Sequence, residues 1–261
     1  MTKQYTQKLV SYLSVASAVA LTVALQAPQA KAASITFTGA GTNTYSGSNN
    51  PLGASVTFDD AVNAGKLTIK LENKGPGALA PSDVLTTVFW DYDGSPISFN
   101  LDSAVGNIIN NGSVTNNFNL LSPSPAQWKL PNVTLPSGGV TQKYGLSSTG
   151  LGLFNSAGGT GSPAYGIISG YGSGANNAIT TNPYVKDFAT FVLSGLPSNF
   201  DVTKISNIRF QYGTNLTEPS FGGTNGGGGG TKVPEPATMF GLGLVASGMA
   251  MARRRRNFAN N

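Results

Sequence analysis

Ala54-Ser55-Val56-Thr57-Phe58-Asp59, followed after Gly65 by Lys66-Leu67-Thr68-Ile69-Lys70-Leu71-Glu72, is the stretch that decides the fold class. Ala54, Val56 and Phe58 alternate with Ser55, Thr57 and Asp59. Leu67, Ile69 and Leu71 alternate in the same way with Lys66, Thr68, Lys70 and Glu72. Successive side chains on an extended backbone point to opposite faces, so a period of two predicts strands with one packed and one wet face. The short connection ending at Gly65 predicts a hairpin. Outward from here the pattern recurs. Ile97, Phe99 and Leu101 alternate with Ser98, Asn100 and Asp102, and Ile208, Phe210 and Tyr212 alternate with Asn207, Arg209 and Gln211. Residues 84–90 and 189–193 are rich in β-branched and aromatic side chains. Gly, Pro, Asn and Ser clusters separate these runs, and no helical period competes with them. The expectation is an all-β domain over residues 33–221, built as an antiparallel β-sandwich. Residues 150–182, Gly- and Ala-rich, read as long loops around short strands such as 165–169.

Composition limits the chemistry. Charged residues make up 10% of the chain, against roughly 25% in an ordinary soluble domain, while Gly reaches 34. The net charge of +5 comes from the ends: Lys3, Lys8 and Lys31 on one side, Lys232 and Arg253, Arg254, Arg255 and Arg256 on the other. Residues 33–231 hold 8 Lys and Arg against 10 Asp and Glu. A nucleic-acid footprint needs basic side chains clustered on the folded domain, so nucleic acid is not an expected partner. With no Cys and no His, disulfides, thiolate chemistry and the Ser-His-Asp and Cys-His arrangements are excluded, and zinc lacks its usual ligands. The fold must be held by its core alone.

The two ends have the grammar of targeting segments. Lys3 and Lys8 precede an apolar run at residues 15–25, and Ala30-Lys31-Ala32 follows. This is the order of a secretory signal, a helix over residues 1–32 removed by cleavage before Ala33, with Ala30 and Ala32 as the small residues a signal peptidase reads. At the other end, the Gly-rich residues 222–232 read as a flexible linker. Val233-Pro234-Glu235-Pro236 comes next, then the uncharged run 237–252, then the four Arg residues. Sixteen residues of helix span about 24 Å against about 30 Å of hydrocarbon, so the expected membrane helix is short, with Arg side chains snorkelling at its end. Clustered Arg holds that end in the cytoplasm.

Val233, Pro234, Glu235 and Pro236, the run Phe240-Gly241-Leu242-Gly243-Leu244 and the Arg cluster together resemble the PEP-CTERM sorting signal of exosortase-dependent bacterial proteins. The resemblance implies that residues 233–256 are recognised by a membrane-embedded exosortase-type protease that cuts near Pro234-Glu235-Pro236. It also implies transient anchoring in the inner membrane and delivery to the cell envelope, outer surface or extracellular matrix. Such proteins belong to Gram-negative-type envelopes and are often linked with exopolysaccharide, which makes that polymer a candidate partner. Phrases of the middle resemble a recurrent domain of exosortase-dependent surface proteins of cyanobacterial type: Asp83-Val84-Leu85-Thr86 leading to Phe89-Trp90-Asp91, Tyr144-Gly145-Leu146-Ser147-Ser148-Thr149-Gly150-Leu151-Gly152, and Ile205-Ser206-Asn207-Ile208-Arg209-Phe210-Gln211-Tyr212-Gly213-Thr214 with Glu218-Pro219. That group brings no settled activity with it.

Within the middle, Asp91-Tyr92-Asp93-Gly94-Ser95 looks like the opening of a calcium loop, with Asp91 and Asp93 as candidate ligands. The twelfth position of such a loop is Asp102 rather than Glu, inside an apparent strand. The competing reading is a hairpin turn between residues 84–90 and 97–101. The close carboxylate pairs Asp91/Asp93 and Asp59/Asp60 are the only material for glycoside hydrolysis, and their place at strand ends suits surface solvation equally. Trp90 ends an apolar strand and reads as core. Trp128, in Ser124-Pro125-Ala126-Gln127-Trp128-Lys129, sits in a loop-like setting and is the ligand-binding candidate, with Tyr165 and Tyr171 as further ring surfaces; a buried loop anchor is the alternative. Asn111-Gly112-Ser113, Asn132-Val133-Thr134 and Asn215-Leu216-Thr217 match the minimal glycosylation pattern, as chance allows in so Asn- and Thr-rich a chain. The expected function is that of an exported envelope or matrix protein without catalysis or cofactor. A carbohydrate-binding module is the second reading and a glycan-active enzyme the third.

Overall fold

The computed structural model describes residues 33–45, 49–122, 125–155 and 162–226. The expected signal helix and the C-terminal membrane helix lie outside them. Among the described residues, no helix is long and apolar enough to cross a membrane.

The hairpin forms where the alternation predicts it. Strands β1 (Ser34–Asn43), β2 (Asn50–Asp59) and β3 (Leu67–Asn73) pair antiparallel in succession, with Ile35 opposite Phe58 and Phe58 opposite Ile69. After β4 (Leu85–Tyr92) come β5 (Asn100–Asn110) and β6 (Ser113–Asn119), joined through Asn111 and Gly112. Both of these turn residues have positive φ, 47° and 78°, the geometry of a tight turn whose twist matches its strands. Then follow β7 (Tyr144–Ser147), the two-residue β8 (Ile167–Ile168), β9 (Tyr184–Ser194), β10 (Ile205–Tyr212) and β11 (Ser220–Asn225).

These strands do not make a sandwich. The sheet runs β3-β2-β1-β11-β10-β4-β8-β9 and closes through a pairing of β9 with β3, giving an eight-strand barrel. The physical reason lies in β3. Its inward residues Leu67, Ile69 and Leu71 meet Leu193, Phe191 and Ala189 of β9, so the edge a sandwich would leave open is filled by a matching apolar row. That row continues round the wall: Ile35, Phe58, Ile69 and Phe191 lie in register across four of its strands, and Ala104 of β5 carries the row beyond the ring. The shortest strand of the ring is β8, which pairs with β4 only through Leu85 and Ile167 and runs parallel to β9. β5 and β6 extend the sheet from the other edge of β9, and β7 lies against β4.

Side chains fill the interior, as expected for a small barrel. The Phe58 ring sits 5.6 Å from Trp90 and 6.2 Å from Phe37. The Tyr212 phenol donates to the Gly53 carbonyl at 2.8 Å, and burial pushes its pKa far above the ordinary phenol value. A second apolar cluster sits on another face of β4, where Phe89 packs with Leu135, Val140, Leu153 and Phe154 of the 120–155 excursion.

Two further expectations change. No hairpin joins β4 to β5. One edge of β4 is taken by β10 and the other by β7 and β8, so residues 93–99 cross over instead, with Ile97 N–H donating to the Tyr144 hydroxyl. The domain also does not end at residue 221. β11 runs to Asn225 between β1 and β10, so the first residues assigned to the linker are barrel wall. Glycine makes this strand fit. A Cβ on Gly39 would lie 2.6 Å from the Gly222 carbonyl oxygen, and one on Gly41 would lie 2.7 Å from the Phe221 ring. Phe221 therefore lies across two bare backbone positions of β1, where a ring can cover what glycine leaves exposed.

Candidate functional site

β1 and β11 are neighbours in the wall, with Phe37 opposite Asn225 and Gly226 N–H donating to the Thr36 carbonyl at 3.1 Å. The chain therefore enters the barrel at Ala33 and leaves it after Gly226 on the same stretch of wall. The signal-peptidase residues Ala30 and Ala32, and the sorting residues Val233, Pro234, Glu235, Pro236, Arg253, Arg254, Arg255 and Arg256, lie outside the described residues. What the structure adds is where these segments are attached.

Trp128 does not present a ring to solvent. It is completely buried, its ring centroid 4.8 Å from that of Phe191 and its indole N–H donating to the Tyr165 carbonyl at 2.9 Å. A sugar-stacking residue needs one free face. Trp128 instead anchors its loop to β9 and to the residues just before β8, the alternative that a loop position left open. Trp90 is core, fully buried between Phe58 and Tyr144. Tyr165 stacks on Phe118 at 6.1 Å.

Asp91 and Asp93 fasten the end of β4 to its neighbours. Asp91 accepts from the Lys143 backbone N–H at 2.8 Å and from the Asn207 side chain at 2.7 Å, and Asp93 accepts from the Ser206 hydroxyl at 3.2 Å. Asp102 is engaged elsewhere, by Lys66 and Ser194, each at 2.8 Å. Among the described residues, no group of three or more acidic, His or Cys side chains is placed to hold a metal. Asp59 accepts from the backbone N–H groups of Ala61 and Val62, and Asp60 accepts from the backbone N–H of Ala33 at 2.7 Å.

Two open clefts flank the loop between β10 and β11. Residues 213–218 are folded around Glu218, whose carboxylate accepts from the Asn215 N–H at 2.8 Å and also from Thr214. One cleft, about 270 Å³, lies between this loop and residues 149–152. The other, about 340 Å³, is lined by Thr42, Thr44, Tyr45, Thr217, Ser220 and Phe221 among others. Tyr45 is 45% exposed. Sequence reading passed over it because Thr44-Tyr45 precedes a Ser-, Gly- and Asn-rich stretch that looks like loop. Neither cleft is lined by an Asp, Glu, Lys or Arg side chain, and the Tyr45 phenol lies in the second. Hydroxyls around a half-exposed ring suit a neutral polar ligand.

No curated protein and no solved structure matches the chain. A family model does match its end. Residues 232–256 carry a PEP-CTERM protein-sorting motif, the mark of an exported protein, sorted to the cell surface, whose tail an exosortase-type membrane enzyme recognises.

Proposed function

We propose that the chain is a non-enzymatic component of the cell envelope or extracellular matrix, a β-barrel displayed on the outer surface after transient anchoring in the inner membrane. The observation that carries this reading is the sorting motif at residues 232–256. Three features support it: the export grammar of residues 1–32, a barrel filled with side chains, and clefts without acidic or basic side chains in their lining. The four Arg residues act as the stop that keeps the tail's end in the cytoplasm. Replacing Arg253, Arg254, Arg255 and Arg256 with neutral residues is expected to shift the protein from the membrane and surface fractions to uncleaved precursor in the periplasm. Fractionation and immunoblotting in a host with an exosortase read this directly. Unchanged surface delivery would count against the stop role.

The carbohydrate-binding reading has one observation in its favour, the cleft holding Tyr45. An exposed ring beside Thr and Ser hydroxyls is the chemistry that recognises a sugar face and its hydroxyl groups. If exopolysaccharide is held there, Tyr45→Ala should weaken its binding about tenfold, the scale of one lost aromatic contact. Trp128→Phe, an internal change, should leave binding unaltered. Titration of the host's own polysaccharide against both variants separates the two outcomes.

A further inference from the structure

The Ala33 contact joins two facts that were separate in the sequence. Ala33 N–H donates to Asp60 Oδ1 at 2.7 Å, and Asp60 N–H donates back to the Ala33 carbonyl at 3.2 Å. Ala33 is also the residue that follows Ala30-Lys31-Ala32. In the uncleaved chain its nitrogen is a neutral amide. Hydrolysis of the Ala32–Ala33 bond by water leaves a carboxylate on Ala32 and an ammonium group on Ala33, at the atom already hydrogen-bonded to Asp60.

We propose that Asp60 is the receiving site for the mature amino terminus, so that removal of the export signal creates an ion pair that locks β1 into the barrel. The proposal rests on cleavage before Ala33. The surroundings suit a cation. Asp59, from the end of β2, and Asp201, beside the Val202–Lys204 turn, both act on Asp60 as like charges. In the uncleaved chain Asp60 is an uncomfortable carboxylate: burial foremost, with Asp59 and Asp201 adding to it, raises its pKa above the ordinary value against the opposing Ala33 N–H. An ammonium on Ala33 sets a full positive charge beside the carboxylate and favours its ionised form, which reverses that balance. β1 is the strand through which β2 and β11 meet, so fixing the residue just before it strengthens the wall at the point where both processed ends leave it.

The sign of the pH dependence distinguishes the two states. A carboxylate whose folded pKa is raised costs stability as pH rises through its titration. One whose pKa is depressed by an ammonium partner contributes stability that appears over the same interval. The mature chain is recovered from the cell surface, its first residue is sequenced, and its melting temperature is followed from about pH 3 to about pH 9, a span covering carboxylate and α-amino titration. A second chain carries one extra Ala between Ala32 and Ala33, which moves the ammonium one residue away, and a third carries Asp60→Asn. The Ala33 chain is expected to gain roughly 2–4 °C as the carboxylate ionises, and to lose it again as the amine deprotonates above about pH 8. The extended chain should stay level or fall across the acidic interval, and Asp60→Asn should abolish the gain. If Asp60→Asn does not fold, the extended chain alone carries the comparison. An Ala33 chain and an extended chain with the same pH profile overturn the proposal while leaving the export reading intact. A first residue other than Ala33 overturns the cleavage position and the proposal together.

Discussion

Replacing Pro234, Glu235 and Pro236 together with Ala is expected to leave a membrane-bound precursor that accumulates, with processed surface protein falling roughly tenfold or more, since each 1.4 kcal/mol of lost recognition is a factor of ten. The cause is conformational. Pro fixes its own φ, removes a backbone donor and disfavours helix for the residue before it, so the sequence Val233-Pro234-Glu235-Pro236 is expected to favour an extended backbone ahead of the apolar run. An extended segment exposes its backbone to a processing enzyme. Three alanines, the best helix formers, are expected to favour helix through the site and to withdraw those groups into intrahelical bonds. The apolar run and the Arg cluster remain, so membrane insertion should persist while processing is lost. Processing of the triple-Ala variant at the wild-type rate would make the tail a plain hydrophobic anchor.

The second large effect lies at the boundary between barrel and tail. A chain ended after Phe221 should fail to fold cooperatively, whereas one ended after Gly226 should melt in a single transition. The difference is five residues, four of which are β11 positions pairing with β1 or β10. Without them, β1 and β10 lose the strand that joins them and an eight-strand wall gains two unpaired edges over an apolar interior. A domain holds only about 5–15 kcal/mol of net stability, and exposing this seam should remove most of it. Circular dichroism with thermal melting of both chains decides the matter. Equal melting temperatures would show that β11 is dispensable and that the barrel closes without it.

This boundary also shows what sequence reading can see. The alternation in residues 54–72 states which face of each strand is apolar, and the β2–β3 hairpin follows from it. It does not state what lies beyond the edge of β3. Barrel and sandwich share the same alternation, and only the pairing of Leu67, Ile69 and Leu71 with β9, more than 100 residues later, separates them. β11 was hidden because Phe221-Gly222-Gly223-Thr224-Asn225 has the composition of a tether; its place in the wall depends on Gly39 and Gly41 far away. Asp93-Gly94 correctly marks a turn but not the strand that follows it in space, hence the absent β4–β5 hairpin. Trp128 sits in a segment with loop chemistry, and composition alone could not tell an anchoring ring from a displayed one. Tyr45 went unremarked for the converse reason. The sorting motif at residues 232–256, by contrast, was legible in the sequence, because its signal is a linear order of residues that needs no partner from elsewhere in the fold.

Surface delivery turns on the tail being read and cut, and intact mass spectrometry of the surface-exposed protein tests that most directly. In a host with an exosortase, the mature chain should lack Arg253, Arg254, Arg255 and Arg256 and end near Pro234-Glu235-Pro236; in the same host without the exosortase, the tail should be retained and the protein held in the membrane fraction. A surface-exposed chain that still ends at Asn261, or a cut that persists when the exosortase is absent, would contradict it.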